Sequence, residues 1–190
     1  MPSPSKFEQL RRGLPHLTLV QGEKLAAPKI LNEIHQLSNE ALFGGKIENS
    51  EMAQAARAGM ILAAGGWDAA HRIVQEMDTR EAEYWHGIVH RREPDSSNSK
   101  YWFRRVRHHV VMDQLLSVAT RRSGPEAEVL RQLTKAGRWD PFHFVDMCMA
   151  CHEGHQRELL PILLDIQQTE ITALLDYCIQ QARGGRPEAA

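Results

Sequence analysis

Apolar residues recur at three- and four-residue steps along most of this chain, the spacing that puts them on one face of a helix. From Pro28 the series is Ile30, Leu31, Ile34, Leu37, Ala41 and Leu42, with Pro28 suited to a first helical turn and Gly44-Gly45 to a stop. Asn49 or Ser50 caps a second helix through Ala64, closed by Gly65-Gly66. Trp67 opens a third through Ala70, Ile73, Val74 and Met77. Asp78 or Thr79 caps a fourth from Arg80 to about Arg92, stopped by Pro94. A fifth runs from about Ser99 to Arg107 and a sixth from about Val111 to Arg121. A seventh runs from Pro125 to Ala136, closed by Gly137. Trp139-Asp140-Pro141 is the start signal of an eighth, to about Glu153, and the last spans about Arg157 to Ala182.

No stretch alternates β-branched and polar residues strictly, so the fold class expected is all-α. About eight or nine short helices would pair as antiparallel hairpins, in a solenoid-like stack or an irregular bundle. Residues 1–27, punctuated by Pro2, Pro4, Gly13, Pro15 and Gly22, read as a loosely ordered N-terminal arm. Residues 28–183 read as one helical domain and 184–190 as a flexible tail. Tyr84-Trp85 recurs as Tyr101-Trp102, a step of 17 residues, half the period of tetratricopeptide-type hairpins.

Composition narrows the function classes. Net charge is −1, which by itself argues for neither nucleic acid nor membrane as a partner. RNA recognition wants a more basic chain, so nucleic acid is disfavoured. No apolar run approaches the roughly 18 residues of a membrane span, and the start MPSPSKFEQLRRG holds no apolar signal core. Three cysteines, an odd number, make a poor disulfide framework and suit a reducing, cytoplasmic setting.

The stretch densest in chemistry is Tyr84–His109, YWHGIVHRREPDSSNSKYWFRRVRHH. On a helical wheel Tyr84, Trp85, Ile88 and Val89 share one face, and Glu83, His86, His90 and Glu93 share an arc of roughly 80° on another. Histidines at i and i+4 can hold a transition metal with a carboxylate as third ligand. A carboxylate beside a histidine can also fix its tautomer for acid–base work. The competing reading is a solvated ladder on the outer face of an amphipathic helix. Catalytic candidates are therefore His86, His90, Glu83 and Glu93, with His86 and His90 as metal candidates. The spacing is not H-E-x-x-H, because Gly87 follows the first histidine.

In the next helix Trp102, Phe103 and Val106 share a face, and Tyr101, Arg104, Arg105 and His108 the opposite one. Six basic residues stand between Arg91 and His109 against Glu93 and Asp95. That suits an anionic ligand or partner segment held by Tyr101, Arg104, Arg105, His108 and Arg91. Basic residues paired with acidic surface elsewhere is the alternative.

Tyr84-Trp85-His86, His90-Arg91-Arg92-Glu93, Asp95, Asn98, Tyr101-Trp102 and Arg104-Arg105-Val106 resemble the signature of an uncharacterised bacterial protein family with relatives in plants. Trp139-Asp140-Pro141, Phe144-Val145-Asp146 and Cys148 resemble that family's second motif. The likeness spans about Ala56 to Cys178. It carries no activity; it implies that the polar residues here form a structured cluster, with Glu93, Asp95 and Asn98 pinning the turn at Pro94.

Cys148-Met149-Ala150-Cys151-His152 matches the haem-attachment pattern, but nothing around it suits that chemistry. Cys148, Cys151 and His155 would share an arc of roughly 60° on a helix, a partial zinc set. Phe144 lies in the same arc, so buried structural thiols are expected. The leading expectation is a cytoplasmic binding module without a cofactor, taking a protein segment or small anionic ligand. The alternative is a metal-dependent or acid–base enzyme on His86 and His90 with Glu83 or Glu93.

Overall fold

Side-chain caps decide where most helices begin. In the computed structural model, which describes residues 5–21, 27–121 and 126–185, Ser5 caps α1 (Lys6–Arg12) and Ser38 caps α3 (Asn39–Phe43). Asn49 caps α4 (Ser50–Ala63), and Thr79 caps α6 (Arg80–Arg92). Asp95 caps α7 (Ser96–Val106). Asp140 caps α10 (Pro141–His152) by accepting from Phe142 N and His143 N, with Pro141 filling a position that needs no donor. The other helices are α2 (Pro28–Gln36), α5 (Trp67–Gln75), α8 (Val110–Arg121), α9 (Glu126–Gln132) and α11 (Leu160–Ala182), the last preceded by a 3₁₀ turn at Arg157–Leu159.

Eleven helices among the described residues exceed the eight or nine expected, and the fold is all-α in class. The apolar run after Pro28 is cut in two because Ser38 caps a new helix rather than continuing the old one. The seventh expected helix stops at Gln132. Thr134–Lys135 (β1) then pairs antiparallel with Arg138–Trp139 (β2). Ala136 and Gly137 turn that hairpin with φ of 52° and 73°, the left-handed pair of a tight two-residue loop.

The N-terminal stretch read as loosely ordered contains α1 and is packed over residues 5–21. Phe7, Leu10, Leu17 and Leu19 are buried. Arg11 pairs with Asp176 at 2.7 Å, and Gln21 N donates to the Arg92 carbonyl at 2.7 Å. The remainder of that arm and residues 186–190 of the expected tail lie outside the described residues.

Helices α4 to α7 follow one another as antiparallel hairpins. Helix α11 packs back across α4 and α8, and α10 covers α6, α7 and α11, so the chain closes into an irregular bundle rather than an open stack. Glu48 N and Asn49 N both donate to the Ala182 carbonyl, tying the start of α4 to the end of α11. Close approach needs small residues. Ala53, Ala55, Ala56, Ala58 and Gly59 are buried on α4, and a Cβ at Gly59 would stand 2.4 Å from Trp85 Cζ2 of α6. A Cβ at Gly87 would stand 2.9 Å from the Phe103 ring of α7. No described helix is long and apolar enough to cross a membrane.

Cys148, Cys151 and Cys178 are free and buried, as expected of core thiols. His152 and His155 are exposed, so the partial zinc set does not assemble. Burial pushes the Cys148 thiol from an ordinary 9.0 up to about 12, and the fully buried Cys178 upward as well.

Two outcomes are expected. Gly59→Ala forces the buried Trp85 ring to move and should lower stability by about 1–3 kcal/mol, read from the urea midpoint. The thiol contribution should be intact below about pH 9 and fall as pH rises toward 12, because only the unfolded chain releases the proton there. Melting temperature followed from about pH 8 to pH 11 should decline, and Cys148→Ala should remove part of that slope.

Candidate metal centre

Helix α6 is buried on every side. Ala82 and all residues from Tyr84 to Arg92 are withdrawn from water. Residues seven apart share a face, so Tyr84 and Arg91 point together toward α10 and α11. There Arg91 Nη2 donates to Glu170 Oε2 at 2.5 Å and Tyr84 Oη donates to Glu170 Oε1 at 3.2 Å. The Arg91 guanidinium lies 4.4 Å from the Phe144 ring centroid. Trp85 and Arg92 face α4, where Arg92 donates to the Leu62 carbonyl at 3.3 Å. Burial, with the neighbouring charge of Arg91, lowers Arg92 to about 10.

The remaining stripe carries Glu83, His86, His90 and Glu93. Its histidines do not look into water, because α5 and α7 cover them; His86 is 4 % exposed and His90 7 %, while Glu83 and Glu93 are partly buried. The solvated-ladder reading is thereby corrected. A third histidine, His71 of α5, completes the group. His71 Nε2 and His86 Nε2 lie 2.9 Å apart, and one ligand nitrogen from each of His71, His86 and His90 falls within 4.8 Å of the others.

Two tryptophans hold the rings. Trp102 of α7 stacks on His86 at 3.9 Å and 10°, and His86 in turn lies parallel to His90 at 5.1 Å and 11°. Trp67 stacks on His71 at 5.2 Å and 11°, and this second pair meets the first edge-on, His71 to His86 at 81° and to His90 at 79°. Trp67 Nε1 donates to the Val89 carbonyl at 3.2 Å, which fixes the start of α5 against the middle of α6.

Protonation follows from this packing. Burial, then the two neighbouring imidazoles, lowers His86 to about 3, so it is neutral at physiological pH. His71 is lowered by burial and by His90, against the pull of Glu93 and Asp68. Two neutral imidazoles whose Nε2 atoms face at 2.9 Å need one bridging proton, or a cation in its place. His90 Nδ1 lies 3.0 Å from Glu93 Oε2. This is the kind of orienting contact that metal-bound histidines use, with one ring nitrogen on a carboxylate and Nε2 left for a ligand. Bound to one zinc at 2.0–2.1 Å, two nitrogens stand roughly 3.3 Å apart. The His71–His86 pair therefore has to open by only a few tenths of an ångström, with a larger adjustment to bring in His90.

The other expected residues separate. Glu83 is taken by Arg105, whose Nε and Nη2 stand 2.7 and 2.6 Å from Oε1, so it is not a ligand. Arg91 is fully buried on Glu170 and leaves the expected anion-binding group. His108 pairs with Asp113 at 3.0 Å on the surface and leaves it too. Tyr101, Arg104 and Arg105 do come together, in a recess described below. Of the three residues expected to pin the turn, Asp95 and Asn98 do so: Asp95 Oδ1 accepts from Asn98 N at 3.0 Å and Oδ2 from Asn98 Nδ2 at 2.9 Å, while the Glu93 side chain bonds His90 instead. His71 escaped notice because its partners are 15 and 19 positions away on another helix. The only local signal was Trp67 one turn before it.

Compared with family models, curated proteins and solved structures, the chain matches none. The arrangement therefore has to speak through its own energetics. Arg91→Met should destabilise the protein by about 3–5 kcal/mol, because Glu170 is left buried without its partner. The double variant Arg91→Met, Glu170→Leu should recover most of that loss in the same chemical denaturation series.

Proposed function

We propose that this protein binds a divalent transition-metal ion through His71, His86 and His90, with Glu93 orienting His90. The observation that carries the reading is the convergence of three mostly buried imidazole donors from two helices, with nitrogens within 4.8 Å. Imidazole nitrogens suit zinc, copper, nickel and iron rather than calcium or magnesium, which prefer oxygen. Three histidines fill three positions of a tetrahedron and leave the fourth for water or a ligand. That is the ligand count of zinc centres that activate water, and His71, half-buried, is the side from which it would be reached. The metal alternative formed from the sequence is thereby preferred to the cofactor-free binding module, with His71 in the place of Glu83. Acid–base work by His86 alone is disfavoured, since a histidine held near 3 stays neutral and is too weak a base to take up a proton at neutral pH.

Calorimetric titration of metal-stripped protein with zinc should give one site per chain. Cobalt should give the visible absorption of a tetrahedral nitrogen-ligated ion, and copper should quench the emission of Trp67 and Trp102. His71→Ala and His86→Gln should each abolish stoichiometric binding, and Glu93→Gln should weaken it about 10–100-fold. A folded protein that takes up no zinc, cobalt or copper beyond the amount bound by the His71→Ala, His86→Gln, His90→Gln variant would sink the reading. The histidines would then be packing between two tryptophans.

A further inference from the structure

At the open end of the α6–α7 hairpin lies a recess of about 570 Å³ walled by Asp78, Thr79, Arg80, Glu83, Tyr101, Arg104, Arg105, Val106 and Arg107. Four arginines meet two carboxylates there. Glu83 is committed to Arg105, and no ion pair holds Arg80, Arg104 or Arg107 among the described residues. Arg104 lies 5.9 Å from the Phe142 ring, a contact that leaves its charge uncompensated. Positive charge therefore dominates a concave surface in a chain of net charge −1. Tyr101, at 48 % exposure the most solvent-open large hydrophobic among the described residues, stands on the same wall. It is braced edge-to-face on Trp102 at 5.2 Å and 81°. Tyr101, Arg104 and Arg105 of the expected anion-binding group line this recess, and the structure adds Arg80 and Arg107 to them. These two come from the start of α6 and the end of α7, which the antiparallel hairpin brings together.

We propose that this recess binds a phosphate ester carrying a flat ring, the chemistry of a mononucleotide. Arg80, Arg104 and Arg107 take the phosphate and the Tyr101 ring takes the base. Guanidinium forks match phosphate oxygens in pairs, which a lysine cluster does not. The volume lies in the range of small-molecule sites and is far more than a lone phosphate fills. An exposed tyrosine beside the arginines supplies the stacking face that a bare anion site has no use for. Glu83 keeps Arg105 turned along the wall, so that Arg105 shapes the recess while the unpaired arginines supply the charge. The site is separate from the histidine centre. Its ligands come from the α6 and α7 ends, and it makes no use of a metal.

The test is calorimetry at low salt with EDTA present, which keeps failure of this site distinct from failure of the metal reading. The probes are inorganic phosphate, adenosine monophosphate and a short single-stranded oligonucleotide. Saturable binding of the mononucleotide is expected, at least about tenfold tighter than phosphate. Arg104→Gln with Arg107→Gln should weaken both ligands about tenfold or more. Tyr101→Ala should erase the advantage of the nucleotide while leaving phosphate binding in place. All three positions are at the surface, and circular dichroism confirms that the variants fold. No saturable binding of either small ligand up to about 10 mM overturns the proposal. Equal affinity for phosphate and mononucleotide overturns the ring-binding half. An oligonucleotide that binds far tighter than the mononucleotide, with a steep loss in salt, overturns it in favour of a nucleic-acid surface.

Discussion

The ion pair between Arg91 and Glu170 is the constraint on which the rest of the arrangement depends. Both side chains are wholly withdrawn from water. Taking such charges out of water costs several kcal/mol each, and only close geometry with further hydrogen bonds offsets it. Here Tyr84 supplies a second donor to the carboxylate, and the Phe144 ring faces the guanidinium. The pair has one consequence that an apolar contact would not enforce. It fixes the rotation of α6 about its axis, because Arg91 can reach Glu170 in only one setting. His86 and His90 lie roughly 100–140° further round the helix at 100° per residue, and so must face α5. The buried salt bridge thus sets where the histidines point.

A second layer of restraint holds them there. Gly59 and Gly87 let α6 approach α4 and α7 to distances that a single methyl group would forbid. The approach to α7 brings Trp102 over His86, and the Trp67 contact to Val89 brings His71 to the pair. The imidazoles are placed by stacking and backbone hydrogen bonding, without needing a cation to gather them. A donor set assembled by its surroundings loses little conformational freedom when it takes up a ligand, which is what favours tight binding.

How much of this could be read along the chain follows from the range of the interactions. Helix starts at Asn49, Thr79 and Asp140 were legible because a cap acts over three residues. The pinning of the turn by Asp95 and Asn98 was legible for the same reason, as was the burial of Cys148 from its place on an apolar face. The division of α2 from α3 was missed because the apolar spacing continues through Ser38 while the backbone does not. The β1–β2 hairpin was missed because strands of two residues leave no alternation to detect, and its turn at Ala136 uses a residue that carries no turn signal. On α6 the wheel sorted the residues correctly and misjudged their surroundings. A polar stripe implies water only if no other helix covers it, and that is decided by α5 and α7. Arg91 was grouped with the surface arginines because its partner, Glu170, is 79 residues away.

Those same surroundings bear on what the histidines are for. Tyr84, Arg91, Asp95 and Asn98, which carry part of the resemblance noted in the sequence, have structural duties in packing and capping, though Arg91 Nε and Nη1 are buried with no hydrogen-bond partner among the described residues. His86 and His90 do not need to be histidines to fill their space; apolar side chains would do so without burying ring nitrogens. His86 Nδ1 is buried with no hydrogen-bond partner among the described residues, and an unpaired buried polar atom costs about 1–3 kcal/mol. His71 adds a further nitrogen at hydrogen-bonding distance that a leucine would not require. Three imidazoles held nitrogen to nitrogen, at positions where apolar residues would pack without polar cost, are what the proposed metal site accounts for. The Glu93 carboxylate, 35 % exposed, bonds His90 rather than turning fully to solvent, the kind of orienting contact that a metal-bound histidine uses.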